Sequence, residues 1–206
     1  MTVFSIDYSD AEFIGQRDSQ EDAHLAVPLE DGRAIPIVLA DGMGGHVTGN
    51  IGSQTAVESF CRHPASSGAA RLGSVLQAAQ ERLAEAVQLV PEFSDMGCTL
   101  VGPHIGGGAI RWISAGDFPQ FLQRKGKIAR LNQDDSMAPI LDALVASGKL
   151  AQAEAEGHPD RPCLRSVIVG TEPPGGASRR RRHDSGERRA ANLEISWNYF
   201  YTSANL

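Results

Sequence analysis

Ile35-Pro36-Ile37-Val38-Leu39-Ala40-Asp41-Gly42-Met43-Gly44-Gly45-His46 decides the fold. The unbroken apolar run from Ile35 to Ala40 is the pattern of a strand buried on both faces, and it ends directly on an acid. An Asp at the end of such a strand, followed by Gly42, lets a carboxylate and a backbone carbonyl face one point. Oxygen ligands of that kind suit Mg²⁺ or Mn²⁺. Gly44 and Gly45 allow the backbone to approach a ligand with no Cβ in the way.

Upstream, residues 12–15 and 23–29 read as two short strands around the polar turn Gln16-Arg17-Asp18-Ser19-Gln20-Glu21-Asp22. The second of these strands is placed to pair beside the one ending at Asp41. In an extended segment Glu21 and Asp22 point to opposite sides. One of them is expected to face a metal, and the other to act through water or to orient the turn. Arg17 offers a planar fork for two phosphate oxygens, which Lys cannot match.

Downstream, residues 47–62 have helical length with a modest apolar stripe. Leu72, Val75, Leu76, Ala79, Leu83, Ala86, Val87 and Val90 follow a 3.6-residue period until Pro91 stops it. Strands are expected at 98–101, 109–114, 120–124 and 127–131, with turns at Gly106-Gly107-Gly108 and Lys125-Gly126. A third helix follows, capped by Asp135 or Ser136, with Pro139 in its first turn and Gly148 at its end. Strands and helices do not alternate as βαβ units. That order predicts an α+β fold with helices packed on antiparallel sheet.

Composition narrows the function. The net charge of −6 is uneven: residues 175–206 carry six Arg against three acids, so the rest of the chain carries −9. An acidic body of this kind is not expected to bind nucleic acid, and it suits a site whose carboxylates hold cations. Apolar runs are too short to span a bilayer. The first ten residues have no Lys or Arg, unlike a secretory signal, so a cytoplasmic location is expected. Cys61, Cys98 and Cys163 are odd in number and far apart, and read as core or neutral thiols.

Together, Gly15-Gln16-Arg17-Asp18-Ser19-Gln20-Glu21-Asp22-Ala23 and Asp41-Gly42-Met43-Gly44-Gly45-His46 resemble the bacterial branch of the metal-dependent protein serine/threonine phosphatases, the protein phosphatase 2C (PPM) family. Gly97-Cys98-Thr99-Leu100, residues 112–117, residues 131–137, His158-Pro159 and residues 165–170 continue the resemblance in order. It implies an αββα sandwich of two antiparallel sheets flanked by helices, with a dinuclear Mg²⁺ or Mn²⁺ centre between the sheets. By matching positions, Asp41 would bridge the metals and Gly42 would lend its carbonyl. Glu21 and Asp22 would hold metal or metal-bound water, Asp117 would serve a third, looser metal, and Arg17 would bind phosphate. His46 is the titratable group placed to protonate the departing serine or threonine oxygen. The reaction implied is hydrolysis of phosphoserine or phosphothreonine on a protein substrate by a metal-activated water.

The resemblance sets residues 1–170 as a phosphatase-like domain and residues 171–206 as a divergent, Arg-rich, irregular tail. Beyond Gly170 the family supplies a Ser-Asp-Gly element and an Asp-Asn pair that close the metal site, and this sequence has neither. The C-terminus therefore reads as truncated or frameshifted near residues 170–175. Without those acids the second metal is expected to be weak or absent. The alternative function is an impaired pseudophosphatase that binds a phosphoprotein or another partner.

Overall fold

The computed structural model describes residues 10–26, 34–62, 69–106, 108–171, 184–189 and 194–196. The apolar run forms β2 (Ala34–Met43), which lies inside a seven-stranded sheet. It pairs antiparallel with β1 (Asp22–Ala26), β3 (Gly97–Cys98) and β4 (Leu100–Gly106). β4 pairs in turn with β5 (Ala109–Ala115), β5 with β9 (Asp184–Arg189), and β3 with β8 (Ile168–Val169). A smaller antiparallel sheet has the order β10 (Glu194–Ser196), β6 (Phe121–Arg124), β7 (Lys127–Arg130). The order of elements gives the expected α+β class with two antiparallel sheets.

Helices α1 (His46–Arg62) and α2 (Ala69–Leu89) cover one face of the large sheet. Ser53, Ala56, Val57 and Phe60 recur at helical spacing on α1 and are buried; Val75, Ala79 and Leu83 do the same on α2. They enclose Val38 and Ala40 of β2, Leu100 of β4, and Ile113 and Ala115 of β5. Side chains alternate along a strand, so Ile37, Leu39 and Asp41 lie on the face away from the helices. That alternation places Asp41 outside the apolar core.

Turn chemistry behaves as the sequence predicts at two hairpins. Lys125 (φ 51°) and Gly126 (φ 74°) form the two-residue turn from β6 to β7, and Gly108 (φ 73°) lies in the β4–β5 turn. α3 (Ala138–Ala146) has Met137 at its N-cap with no side-chain cap bond, so neither candidate caps it, although Ser136 Oγ accepts the N–H of Ala138 at 3.2 Å. Asp135, the other candidate cap, instead faces Arg165 at 3.6 Å. A short α4 (Gln152–Glu156) follows, which the sequence pattern did not reveal.

Three further expectations are corrected. Residues 12–15 form no strand, because Gly15 turns at φ 63° and the N–H of Arg17 closes onto the carbonyl of Ile14 at 3.2 Å. β2 does not stop before Asp41; it runs on through Met43, since Gly42 and Met43 pair with Cys98 and Gly97. The tail is not wholly irregular: β9 lies against β5 and β10 against β6. The remainder of residues 172–206, and Cys61 as a side chain, lie outside the described residues.

Candidate metal centre

Asp22 and Asp41 are register partners across β1 and β2, and their side chains share a hydrogen bond. Both residues are half-buried. Burial first, then the facing Asp22 and the more distant charge of Asp117, push the Asp41 carboxyl up to about 7, against the opposing charge of Arg17. Burial also raises Asp22, while the hydrogen bond to Asp41 and the charge of Arg17 lower it. One proton shared by two carboxylates is the apo form of a pair suited to a cation.

The backbone beneath the pair is fixed from both sides. The carbonyl of Asp41 accepts the N–H of Thr99 at 2.9 Å, and its N–H reaches Thr99 Oγ1 at 3.4 Å. Gln20 Oε1 accepts the N–H groups of Glu21 and Asp22 at 3.1 and 3.2 Å, a local turn that aims Asp22 inward. The N–H of Gly42 donates to the Glu21 carbonyl at 3.1 Å, and Ser53 Oγ of α1 donates to the same oxygen at 2.6 Å.

Gly42 is required by crowding. A Cβ there would stand 2.2 Å from the carbonyl oxygen of Gly49 and 2.4 Å from that of Glu21. Gly49 is equally constrained on its side: a Cβ would lie 2.8 Å from Glu21 Oε2 and 3.3 Å from the Gly42 carbonyl oxygen. The Glu21 carboxylate and the Gly42 carbonyl thus meet over the start of α1, while Asp22 faces Asp41.

Asp117 approaches from the loop after β5. Gly116 (φ 101°) makes the bend; its N–H donates to Ser166 Oγ at 2.8 Å and its carbonyl accepts from Asp135 N–H at 3.2 Å. Arg130 Nη2 donates to the Asp117 carbonyl at 2.7 Å, and Arg130 Nη1 faces Asp134 at 3.6 Å. Partial loss of water raises the Asp117 carboxyl, Asp134 adds to that, and a backbone hydrogen bond and Arg130 oppose it. Arg17 is exposed on its loop. His46 begins α1, and its side chain lies outside the described residues. Sequence reasoning missed Arg130, Thr99 and Ser166, whose roles depend on partners 13 to 58 positions away.

Among the described residues, no three His, Cys, Asp or Glu side chains stand close enough to hold one ion. The donor set fits a hard cation on a carboxylate pair, with an all-oxygen complement from Asp22, Asp41 and the Gly42 carbonyl. Beside the pair runs an open groove of about 550 Å³, lined by Glu12, Ser19, Gln20, Asp22, Asn50 and Gln54 among others.

A protein-family profile described as Protein phosphatase 2C matches residues 12–143. The chain belongs to the protein phosphatase 2C family. The serine/threonine protein phosphatase PstP of Mycobacterium tuberculosis is 29% identical over 140 residues, covering 66% of this chain and 27% of that protein. A putative protein phosphatase 2C-type of Streptococcus pyogenes is 27% identical over 139 residues, covering 64% of this chain and 55% of that protein. This chain therefore spans between about a quarter and about half of the length of these curated relatives. Among solved structures, PstP/Ppp of M. tuberculosis superposes with a TM-score of 0.66 at 26% identity, over 85% of this chain and 69% of that one. A PstP catalytic domain in complex with two manganese ions gives 0.63 at 25% identity, over 85% and 68%. No helix among the described residues is long and apolar enough to cross a membrane.

Proposed function

We propose that this protein phosphatase 2C member hydrolyses phosphoserine and phosphothreonine on protein substrates, using Mn²⁺ or Mg²⁺. The observation that carries this reading is the facing pair Asp22 and Asp41, set near the C-terminal end of the buried strand β2, shortly before the Gly44-Gly45 turn. Asp41, Asp22 and the Gly42 carbonyl hold the first cation. Glu21 adds its carboxylate from the α1 side, and Asp117 serves a further ion. When bound, such cations acidify water and offset charge on the transferring phosphoryl group.

The chain's own residues do the rest. Arg17, whose charge is felt at both Asp22 and Asp41, takes two phosphate oxygens in its guanidinium fork and orients the ester. His46, at the mouth of the glycine turn, gives a proton to the departing serine or threonine oxygen. The phosphoprotein is the partner class; the cell compartment is the cytoplasm.

The test is Mn²⁺-dependent hydrolysis of a small aryl phosphate by the full chain and by Asp41→Asn. Turnover by the first and loss in the second support the reading. Equal inertness of both overturns hydrolysis. Phosphoprotein binding without turnover is the reading left in that outcome.

A further inference from the structure

We propose that His24 is a positioning residue that clamps the loop carrying Arg17, and so sets where phosphate is held; the second half rests on the phosphate role of Arg17 proposed above. His24 lies in β1, two residues beyond Asp22 and opposite Leu39. Its Nε2 donates to Asp10 Oδ2 at 2.8 Å, and its Nδ1 faces Glu12 Oε2 at 3.6 Å. A single imidazole therefore engages two acids on the leading arm of the loop.

The trailing arm is held differently, by Gln20 Oε1 on the N–H groups of Glu21 and Asp22. Between the arms, the Arg17 N–H to Ile14 carbonyl bond closes a tight turn over Gly15. Arg17 thus rides at the tip of a loop fastened to β1 at both ends. The leading arm gains little from burial, since Phe13 is 88% and Ile14 45% exposed. With those two side chains exposed, the pairing at His24 contributes directly to how firmly that arm is held.

The cluster has the composition of a metal site, but Nε2 is already bonded to Asp10 and Nδ1 faces Glu12 at 3.6 Å. No group of three ligating side chains suited to an ion is found among the described residues. Its geometry is that of a fastener. The arm it holds ends beside the groove that Glu12, Ser19 and Gln20 share with Asp22 and His24, so a shift of the loop moves Arg17 relative to the carboxylate pair.

Trypsin cleavage after Arg17 in the full chain reports the loop directly, because Arg17 is the sole Lys or Arg between residues 10 and 26. His24→Leu and the double variant Asp10→Ala/Glu12→Ala are each expected to be cut there about threefold faster, the factor that loss of a partly exposed hydrogen bond allows. Their thermal midpoints should hold, and Mn²⁺ with inorganic phosphate should slow the cut in wild type but not in either variant. Where the chain turns over a phosphopeptide, KM rises in both variants and kcat is kept. Should His24→Leu not fold, the double variant decides alone. Wild-type cleavage rates in the double variant overturn the clamp. Absence of phosphate protection in wild type, with faster cleavage in the variants, overturns the phosphate role of Arg17 and leaves the clamp standing.

Discussion

Asp22 and Asp41 stand opposite each other in the β1–β2 register and share one hydrogen bond between two carboxyl groups. Without a cation, the fold tolerates this pair by keeping a proton on it. The Asp41 carboxyl is raised from 3.8 to about 7, so the folded chain binds a proton that the unfolded chain has released. The stabilisation is complete below about pH 4 and is lost as pH rises through about 7. In EDTA, the thermal midpoint should fall between pH 5 and pH 8, as the coupled pair loses on the order of 2 kcal/mol of stability. Asp41→Asn should flatten that slope, and Mn²⁺ should stabilise wild type more at pH 8 than at pH 5.5. A wild-type slope unchanged by Asp41→Asn would sink this account.

Gly42→Ala tests the crowding next to the pair. The new Cβ meets backbone oxygens of Gly49 and Glu21 at 2.2 and 2.4 Å, and neither belongs to a side chain that can turn away. The expected loss is about 3 kcal/mol, in the range of overpacked sites, read by urea unfolding. Gly45→Ala makes a useful contrast. Its Cβ meets nothing within 4 Å, but φ is 81°, so the cost is the backbone's alone, about 1 kcal/mol.

How much of this was legible follows from the range of each signal. The run from Ile35 to Ala40, the period of α2 and the Lys125-Gly126 turn are local patterns, and each appears where the sequence put it. The partnership of Asp22 with Asp41 was readable as two strands side by side. Its register was not, because register depends on which face meets α1 and α2. The end of β2 was misplaced for the same reason. Asp41-Gly42 looks like a turn, and only pairing with Gly97 and Cys98 keeps it extended. Residues 12–15 carry apolar Phe13 and Ile14 as a strand would, yet no sheet covers them.

Arg130→Ala should loosen the Asp117 loop. Arg130 donates to the carbonyls of Asp117 and Gln133 at 2.7 and 3.3 Å and faces Asp134 at 3.6 Å. Its loss leaves those acceptors to water and removes a cation that offsets Asp134 at the Asp117 carboxyl. A destabilisation of about 1 kcal/mol is expected, since the pair is partly exposed. Faster amide exchange over residues 116–119 should accompany it. Exchange confined instead to β7 would show that Arg130 serves its own strand and not the loop.

Removal of residues 172–206 tests what the tail contributes. The sequence there lacks hydrophobic periodicity and holds the run Arg179-Arg180-Arg181-Arg182, which alone suggests a solvated segment. In the structure β9 nonetheless covers the edge of β5 along nearly all its length, from Ala109↔Arg189 to Ser114↔Asp184. β5 carries Ile110, Trp112 and Ile113, all buried, so an uncovered edge would present unpaired N–H and carbonyl groups beside a strongly apolar strand. Such edges recruit other chains. A chain ending at Thr171 is therefore expected to keep α1, α2 and β2 but to self-associate, seen as concentration-dependent growth in light scattering. Gly186→Pro, which removes one N–H opposite Trp112, should give a milder form of the same behaviour. A truncated chain that stays monomeric with an unchanged melt would mean that β9 adds nothing to the β5 edge.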